Sequence, residues 1–206
     1  MGSSLYYQCI GINRTEEDLK NYPQMAGSGL GDYIYEDIDK NGKIDAKDML
    51  RSDLNTIPQI VFGLTGNFQY KNFDLSILFQ GQALARFHYT PLQAPLEGNI
   101  TKEMATQSWN LDRQDAKYGR INSTNNRKES TMWLRNAAFL RLKNVELGYN
   151  LPSNALKTVG IKGLRIYVGG YNLFTITGLK ELDPETNNTA TYPLMRVFNT
   201  GVKVTF

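Results

Sequence analysis

Tyr192-Pro193-Leu194-Met195-Arg196-Val197-Phe198-Asn199-Thr200-Gly201-Val202-Lys203-Val204-Thr205-Phe206 settles into strict alternation toward its end. Phe198, Thr200, Val202, Val204 and Phe206 share one face; Val197, Asn199, Gly201, Lys203 and Thr205 share the other. The first set is mostly apolar, the second mostly polar or small. A strand shows a period of two when its faces meet different solvents. In an outer-membrane barrel those solvents are lipid outside and a wet lumen inside. The edge of a soluble sandwich gives the same alternation, so the decision rests on whether the pattern recurs upstream.

It recurs. Phe62, Leu64, Gly66, Phe68 and Tyr70 alternate with Val61, Gly63, Thr65, Asn67 and Gln69. After only Lys71-Asn72 a mirror strand follows, with Phe73, Leu75, Ile77 and Phe79 against Asp74, Ser76, Leu78 and Gln80. This is a hairpin with a two-residue turn, each arm having the about nine to eleven residues that cross a bilayer. Tyr70 and Phe73 flank the turn, where an interfacial aromatic girdle belongs. Farther on, Leu140 and Leu142 share a face, then Val145, Leu147, Tyr149 and Leu151 do. A bulge at Lys143-Asn144 absorbs that slip of phase. Pro152 ends the strand, a small helical turn is expected between Ser153 and Gly163, and Leu164, Ile166, Val168 and Gly170 then alternate with Arg165, Tyr167, Gly169 and Tyr171. The predicted strands are 60–70, 73–83, 138–151, 164–175 and 193–206.

The connections decide between sandwich and barrel. They run short at Lys71-Asn72, long over 82–132, fairly short over 152–163 and medium-long over 177–191. Near turns alternating with far loops are the habit of outer-membrane barrels, with short turns on the periplasmic side and long loops outside. A sandwich has no reason to gather its long loops at one end. The expected fold is therefore all-β: antiparallel C-terminal strands of a large transmembrane β-barrel with long extracellular loops. Residues 1–58 form an extracellular loop region and 59–206 carry the strands, with 82–132 a long extracellular loop lacking strand pattern of its own. Short helices are expected at Thr15–Lys20, capped by Thr15, and at Thr101–Ser108.

Composition agrees. Of 206 residues 41% are hydrophobic and the mean hydropathy is -0.42; no run reaches the roughly 18 apolar residues of a spanning helix. A barrel escapes that test because only alternate residues must be apolar. Twelve Tyr, nine Phe and eighteen Gly favour strands and tight turns. The net charge of +3 comes from interspersed signs, with no basic stripe or motif for nucleic acid. A single cysteine, Cys9, and a single histidine, His88, exclude an internal disulfide and zinc sites built from several Cys or His. No nucleophile-elbow sequence surrounds any serine, so the chain is not expected to be an enzyme. Its start lacks the basic and apolar regions of a signal peptide, so a chain bound for the outer membrane would be part of a longer precursor.

The sharpest chemical signal is Asp37-Ile38-Asp39-Lys40-Asn41-Gly42-Lys43-Ile44-Asp45-Ala46-Lys47-Asp48. Oxygen donors fall at loop positions 1, 3, 5, 9 and 12, with glycine at 6 and an apolar residue at 8. That is the spacing of an EF-hand-type loop. Carboxylates wound into one turn repel unless a hard cation offsets them. The expected ligands are the side chains of Asp37, Asp39, Asn41 and Asp48, the backbone carbonyl of Lys43, and Asp45 directly or through water. Asp48 stands where Glu is usual and reaches less far, so the ion is calcium or magnesium, in a structural role. A solvated Asp/Asn/Gly turn is the other reading.

Several further motifs occur in order: Gly31-Asp32-Tyr33-Ile34-Tyr35 before the acidic loop, Tyr70-Lys71-Asn72-Phe73-Asp74-Leu75-Ser76, Phe79-Gln80-Gly81, Trp109-Asn110-Leu111-Asp112-Arg113, Phe139-Leu140-Arg141-Leu142-Lys143-Asn144-Val145, Leu147-Gly148-Tyr149-Asn150-Leu151-Pro152, Tyr171-Asn172-Leu173-Phe174 and Tyr192-Pro193. In this order and spacing the chain resembles the SusC/RagA-like TonB-dependent outer-membrane transporters of Bacteroidota, over nearly its whole length. Gly119 departs from the family, which usually has proline before the arginine at that point. The resemblance implies a C-terminal fragment of a plugged barrel of about twenty-two strands. Its implied partners are the remainder of the barrel and plug, a SusD-like surface lipoprotein, the TonB complex acting through the missing N-terminal part, and the lipid bilayer, with no nucleic acid. It implies uptake of an oligosaccharide or peptide nutrient across the cell outer membrane, without covalent chemistry. The competing reading is a secreted calcium-stabilised β-domain that binds glycans through Trp109 and Trp133.

Overall fold

The computed structural model describes residues 4–53, 56–89, 100–152, 156, 160–180, 182–186 and 192–206. In chain order the elements are β1 (Leu5–Tyr7), β2 (Cys9–Ile12), α1 (Glu16–Asn21), β3 (Tyr33–Tyr35), β4 (Met49–Arg51), β5 (Ile60–Tyr70), β6 (Phe73–Ala83), β7 (Arg86–His88), α2 (Lys102–Gln107), β8 (Leu134–Asn136), β9 (Phe139–Asn150), β10 (Gly163–Thr177) and β11 (Val197–Thr205). Two compact units result, Met1–Ile57 with Arg86–Arg135, and Pro58–Ala85 with Asn136–Phe206.

The second unit is an antiparallel meander in the order β11-β10-β9-β6-β5. Because each long strand pairs with the next one along the chain, the alternating faces register into rows. Phe68, Leu75, Leu147 and Val168 lie side by side, as do Leu64, Phe79, Leu142 and Phe174. Ile166 continues the apolar face to Val202, and Gly170 to Phe198. Phe68, Val168 and Phe198 are 62%, 53% and 76% exposed, a cost of about 1.5 to 3 kcal/mol per large side chain in water that lipid removes. The opposite face carries Asp74, Glu146, Arg165, Asn199 and Lys203. Among the described residues β5 and β11 have one neighbour each, so the sheet is open at both edges.

Strand ends follow the expectation closely until the last. β11 begins at Val197, four residues after the predicted start. Pro193 has no N–H to offer a ladder, and the Leu194 N–H goes to the Asp183 carboxylate at 3.2 Å, so 192–196 are drawn out of the sheet. The expected bulge is present: Leu78 faces Asn144 but Phe79 faces Leu142, leaving Lys143 as the extra residue. β10 accommodates it with its own shift between Tyr171 and Phe174, where Asn172 takes a left-handed φ of 52°. The two-residue turn after β5 likewise places Lys71 at φ 53°. The helical turn expected between Ser153 and Gly163 lies mostly outside the described residues.

The first unit corrects the reading of 82–132 as one long loop without strands. Arg86–His88 pairs with Leu134–Asn136, and the described parts of Arg86–Arg135 and Met1–Ile57 belong to one compact unit. Near the start of the chain β1 pairs with β4 and β2 with β3, the chain changing partners around Gln8. Both short helices form where their caps direct. Thr15 and Asp18 exchange hydrogen bonds as a capping box at α1, and Thr101 Oγ1 receives the Met104 N–H at α2. The core of this unit is aromatic and polar at once. Tyr33, Tyr35, Tyr118 and Trp133 are at most 2% exposed, beside buried Asn13, Asp32, Asn126 and Ser130. Trp133 meets Tyr33 edge-on with ring centroids 5.8 Å apart. Gly31, at φ 82°, lies so close under Trp109 that a Cβ would come within 2.4 Å of the indole.

Candidate metal centre and the polar barrel face

The acidic loop winds because two of its residues take left-handed backbone, Lys40 at φ 57° and Gly42 at φ 80°, the latter the position where EF-hand loops place glycine. The Asp37 carboxylate accepts the N–H groups of Asn41 and Gly42 at 3.2 and 2.8 Å. Asp48 is buried and closes the loop, accepting from Ile38 and Asp45, each at 2.8 Å. These backbone donors, the Asp45 N–H foremost, outweigh burial and hold the Asp48 carboxyl below the usual carboxylate range. Its contribution to loop stability is therefore present above the unfolded pKa, about 4, and is lost as pH falls through the lowered folded value.

Ligand oxygens of Asp37, Asp39 and Asp48 all lie within 4.8 Å of one another. Two oxygens on opposite sides of one calcium stand about 4.6 to 5.2 Å apart, so these three carboxylates fit around a single ion. The other expected ligands are placed differently. Asn41 donates its amide to Asp39 Oδ2 at 2.9 Å and accepts the Lys43 N–H at 2.8 Å. Asp45 caps the 3-10 turn Ala46–Asp48 by accepting the Lys47 N–H.

The polar face of the sheet carries two ionic clusters that sequence reasoning missed. Near the short-turn end, the Arg165 guanidinium reaches Asp74 and Glu146, and Asn150 donates to Asp74 at 2.8 Å. Gly148 makes room for it, since a Cβ there would meet the guanidinium at 2.4 Å. Near the other end, Arg141 is 2% exposed and donates to Thr175 Oγ1 at 2.8 Å, and to Glu185 Oε2 and Asp183 Oδ1 at 2.7 Å each. Lys143 adds bonds to both Glu185 oxygens. Burial alone would raise the Asp183 carboxyl, but the Glu185 N–H and the Arg141 guanidinium bring it below its usual range. The signal available in the sequence was charge within bilayer-length strands, which belongs on the interior side and in pairs.

His88 Nε2 lies 2.9 Å from Glu129, and burial pushes the Cys9 thiol up to about 11, away from the thiolate that reactivity needs. Trp109 and Trp133, the expected glycan platforms of the competing reading, are 9% and 2% exposed. They serve the core of the first unit and offer sugars no stacking face.

No family model matches the sequence. The chain is 28% identical to TonB-dependent receptor P3 of Formosa agariphila over all of its own length and 22% of that protein's. It is 28% identical to TonB-dependent receptor SusC of Bacteroides thetaiotaomicron over 84% of the chain and 19% of that protein. Among solved structures, the RagAB peptide transporter superposes with a TM-score of 0.74 at 23% identity, over 100% of this chain and 23% of that one. The RagAB peptide importer in its open-open state gives 0.73 at 24% identity. The chain spans about a fifth of the length of the curated relatives it matches. Over its whole length the chain is similar to TonB-dependent receptor P3, and its fold is similar to that of part of the RagAB peptide transporter.

Proposed function

We propose that this chain, a relative of SusC/RagA-like TonB-dependent receptors, is part of the wall of an outer-membrane importer for nutrient oligomers, oligosaccharide or peptide. The importer works with a SusD-like surface lipoprotein and draws energy from the TonB complex through a plug supplied by the rest of the protein. The observation that carries this reading is the sheet itself: five antiparallel strands whose apolar residues register into one continuous exposed face, with charge confined to the other. Such a surface needs lipid on one side and water on the other. Deleting the gene of the full-length parent in its host is expected to abolish growth on one oligosaccharide or peptide source, while growth on the matching monomers stays normal. Equal growth of mutant and wild type on every such oligomer would refute the reading.

The acidic loop is read as holding a structural calcium or magnesium ion through Asp37, Asp39 and Asp48, whose carboxylate oxygens lie within 4.8 Å of one another. In the full-length parent, calcium is expected to slow proteolysis between residues 37 and 48 and chelation to restore it. The double substitution Asp37→Asn and Asp39→Asn should leave the cleavage rate independent of either treatment. A parent loop that is cut equally fast with calcium, magnesium or chelator is a solvated turn.

A further inference from the structure

The connection from β10 to β11 joins the outer ends of two strands, yet its described parts, 178–180, 182–186 and 192–196, are bound to the polar face of the sheet through Asp183 and Glu185. Asp183 and Glu185 meet Arg141 and Lys143 of β9 in ion pairs of 2.7 Å. Leu179 is 3% exposed and Pro184 is buried. The returning chain is tied to the same anchor, since Asp183 Oδ2 accepts the Leu194 N–H and Asn172 of β10 donates to the Met195 carbonyl at 3.1 Å. Between this segment and the wall lies a cavity of about 340 Å³ lined by Arg141, Thr175, Thr177, Asp183, Leu194 and Arg196.

In a barrel whose apolar face meets lipid, the face carrying Arg141 is the inner one. A loop extending from the cell surface would leave Arg141 and Lys143 to water or to each other; here two cations and two carboxylates neutralise one another around Arg141 and Asp183, whose side chains are 2% and 8% exposed. Such a pairing holds position firmly, because separating it strands a buried guanidinium. We propose that the segment carrying Leu179, Leu182, Asp183, Pro184 and Glu185 is a strap latched inside the barrel, where it narrows the outer end of the passage. The inference rests on the barrel reading and adds to it a fixed constriction whose release depends on the Arg141/Lys143 to Asp183/Glu185 latch.

The test uses the full-length parent, purified in detergent without its lipoprotein partner, with Cys9 and any other cysteine replaced by Ser and Leu182→Cys introduced in the strap. A small hydrophilic maleimide is expected to label the strap readily and a polymer-linked maleimide slowly. Adding Asp183→Asn and Glu185→Gln should raise the polymer-linked rate by about tenfold, as expected when a buried charge pair no longer opposes local opening. Heat-modifiable migration on gels reports, separately, whether the barrel has assembled. If the doubly substituted barrel fails to assemble, Lys143→Gln, which leaves both Arg141 pairs in place, should give a smaller rise in the same direction. Equally fast labelling of the parent by both reagents would place the strap outside and overturn the proposal, as would a polymer-linked rate indifferent to the latch. A parent showing no heat-modifiable form would instead overturn the barrel itself.

Discussion

Ile77→Arg in the full-length parent is expected to destabilise the assembled barrel by about 2 to 4 kcal/mol, whereas Ser76→Arg, one residue away, should be mild. Ile77 lies between Gly66 and Val145 on the apolar face, and Val145 continues that row to Gly170 and Phe198. It also lies near the middle of β6, where a guanidinium has the longest reach to either interface and snorkelling helps it least. Ser76 points to the opposite side, beside Asn67 and Glu146, so an arginine there stays in water with a carboxylate at hand. Urea unfolding of the two variants in lipid vesicles, followed by heat-modifiable migration, measures the difference. Equal loss at both positions would contradict the assignment of lipid and lumen faces.

What was legible in the chain tracks how locally each feature is encoded. β5, β6, β9 and β10 follow from alternation alone, because a side chain's face is fixed by its parity in the strand. The Lys143 bulge was visible for the same reason: a slip of parity in a continuous apolar row has no other cheap remedy. Thr15 and Thr101 announced their helices through short-range capping, and the acidic loop announced its turn. The start of β11 was hidden because it depends on Asp183, eleven positions away from Leu194. The first unit was hidden more thoroughly. Its core is built on Tyr33, Tyr118, Trp133 and Asn126, which carry no apolar periodicity, and Ser123, Asn125 and Asn126 are buried within the polar run 122–130. Residue type gave Trp109 and Trp133 their chemistry, but only long-range packing decided that they face inward.

That polar core yields the second large effect, at Asn126. The side chain is 5% exposed and serves three backbone groups at once. Its Oδ1 accepts the Tyr33 N–H at 2.7 Å, while its Nδ2 donates to the carbonyls of Gly31 and Arg120 at 3.1 and 2.9 Å. The Gly31 carbonyl keeps a second partner in the Arg120 N–H, so Asn126→Ala strands two groups, the Tyr33 N–H and the Arg120 carbonyl. Each buried group left without a partner costs about 1 to 3 kcal/mol, giving an expected loss of about 2 to 6 kcal/mol in the first unit. Gly119 lies against the same amide: a Cβ there would lie 2.4 Å from Asn126 Nδ2 and 2.8 Å from the Gly31 carbonyl, so no side chain fits at 119 without moving Asn126. Limited proteolysis of the full-length parent checks the prediction, with cleavage within 100–135 expected to accelerate in Asn126→Ala while heat-modifiable migration of the barrel stays unchanged. Cleavage there at the parental rate would show that the three bonds contribute nothing that water cannot replace.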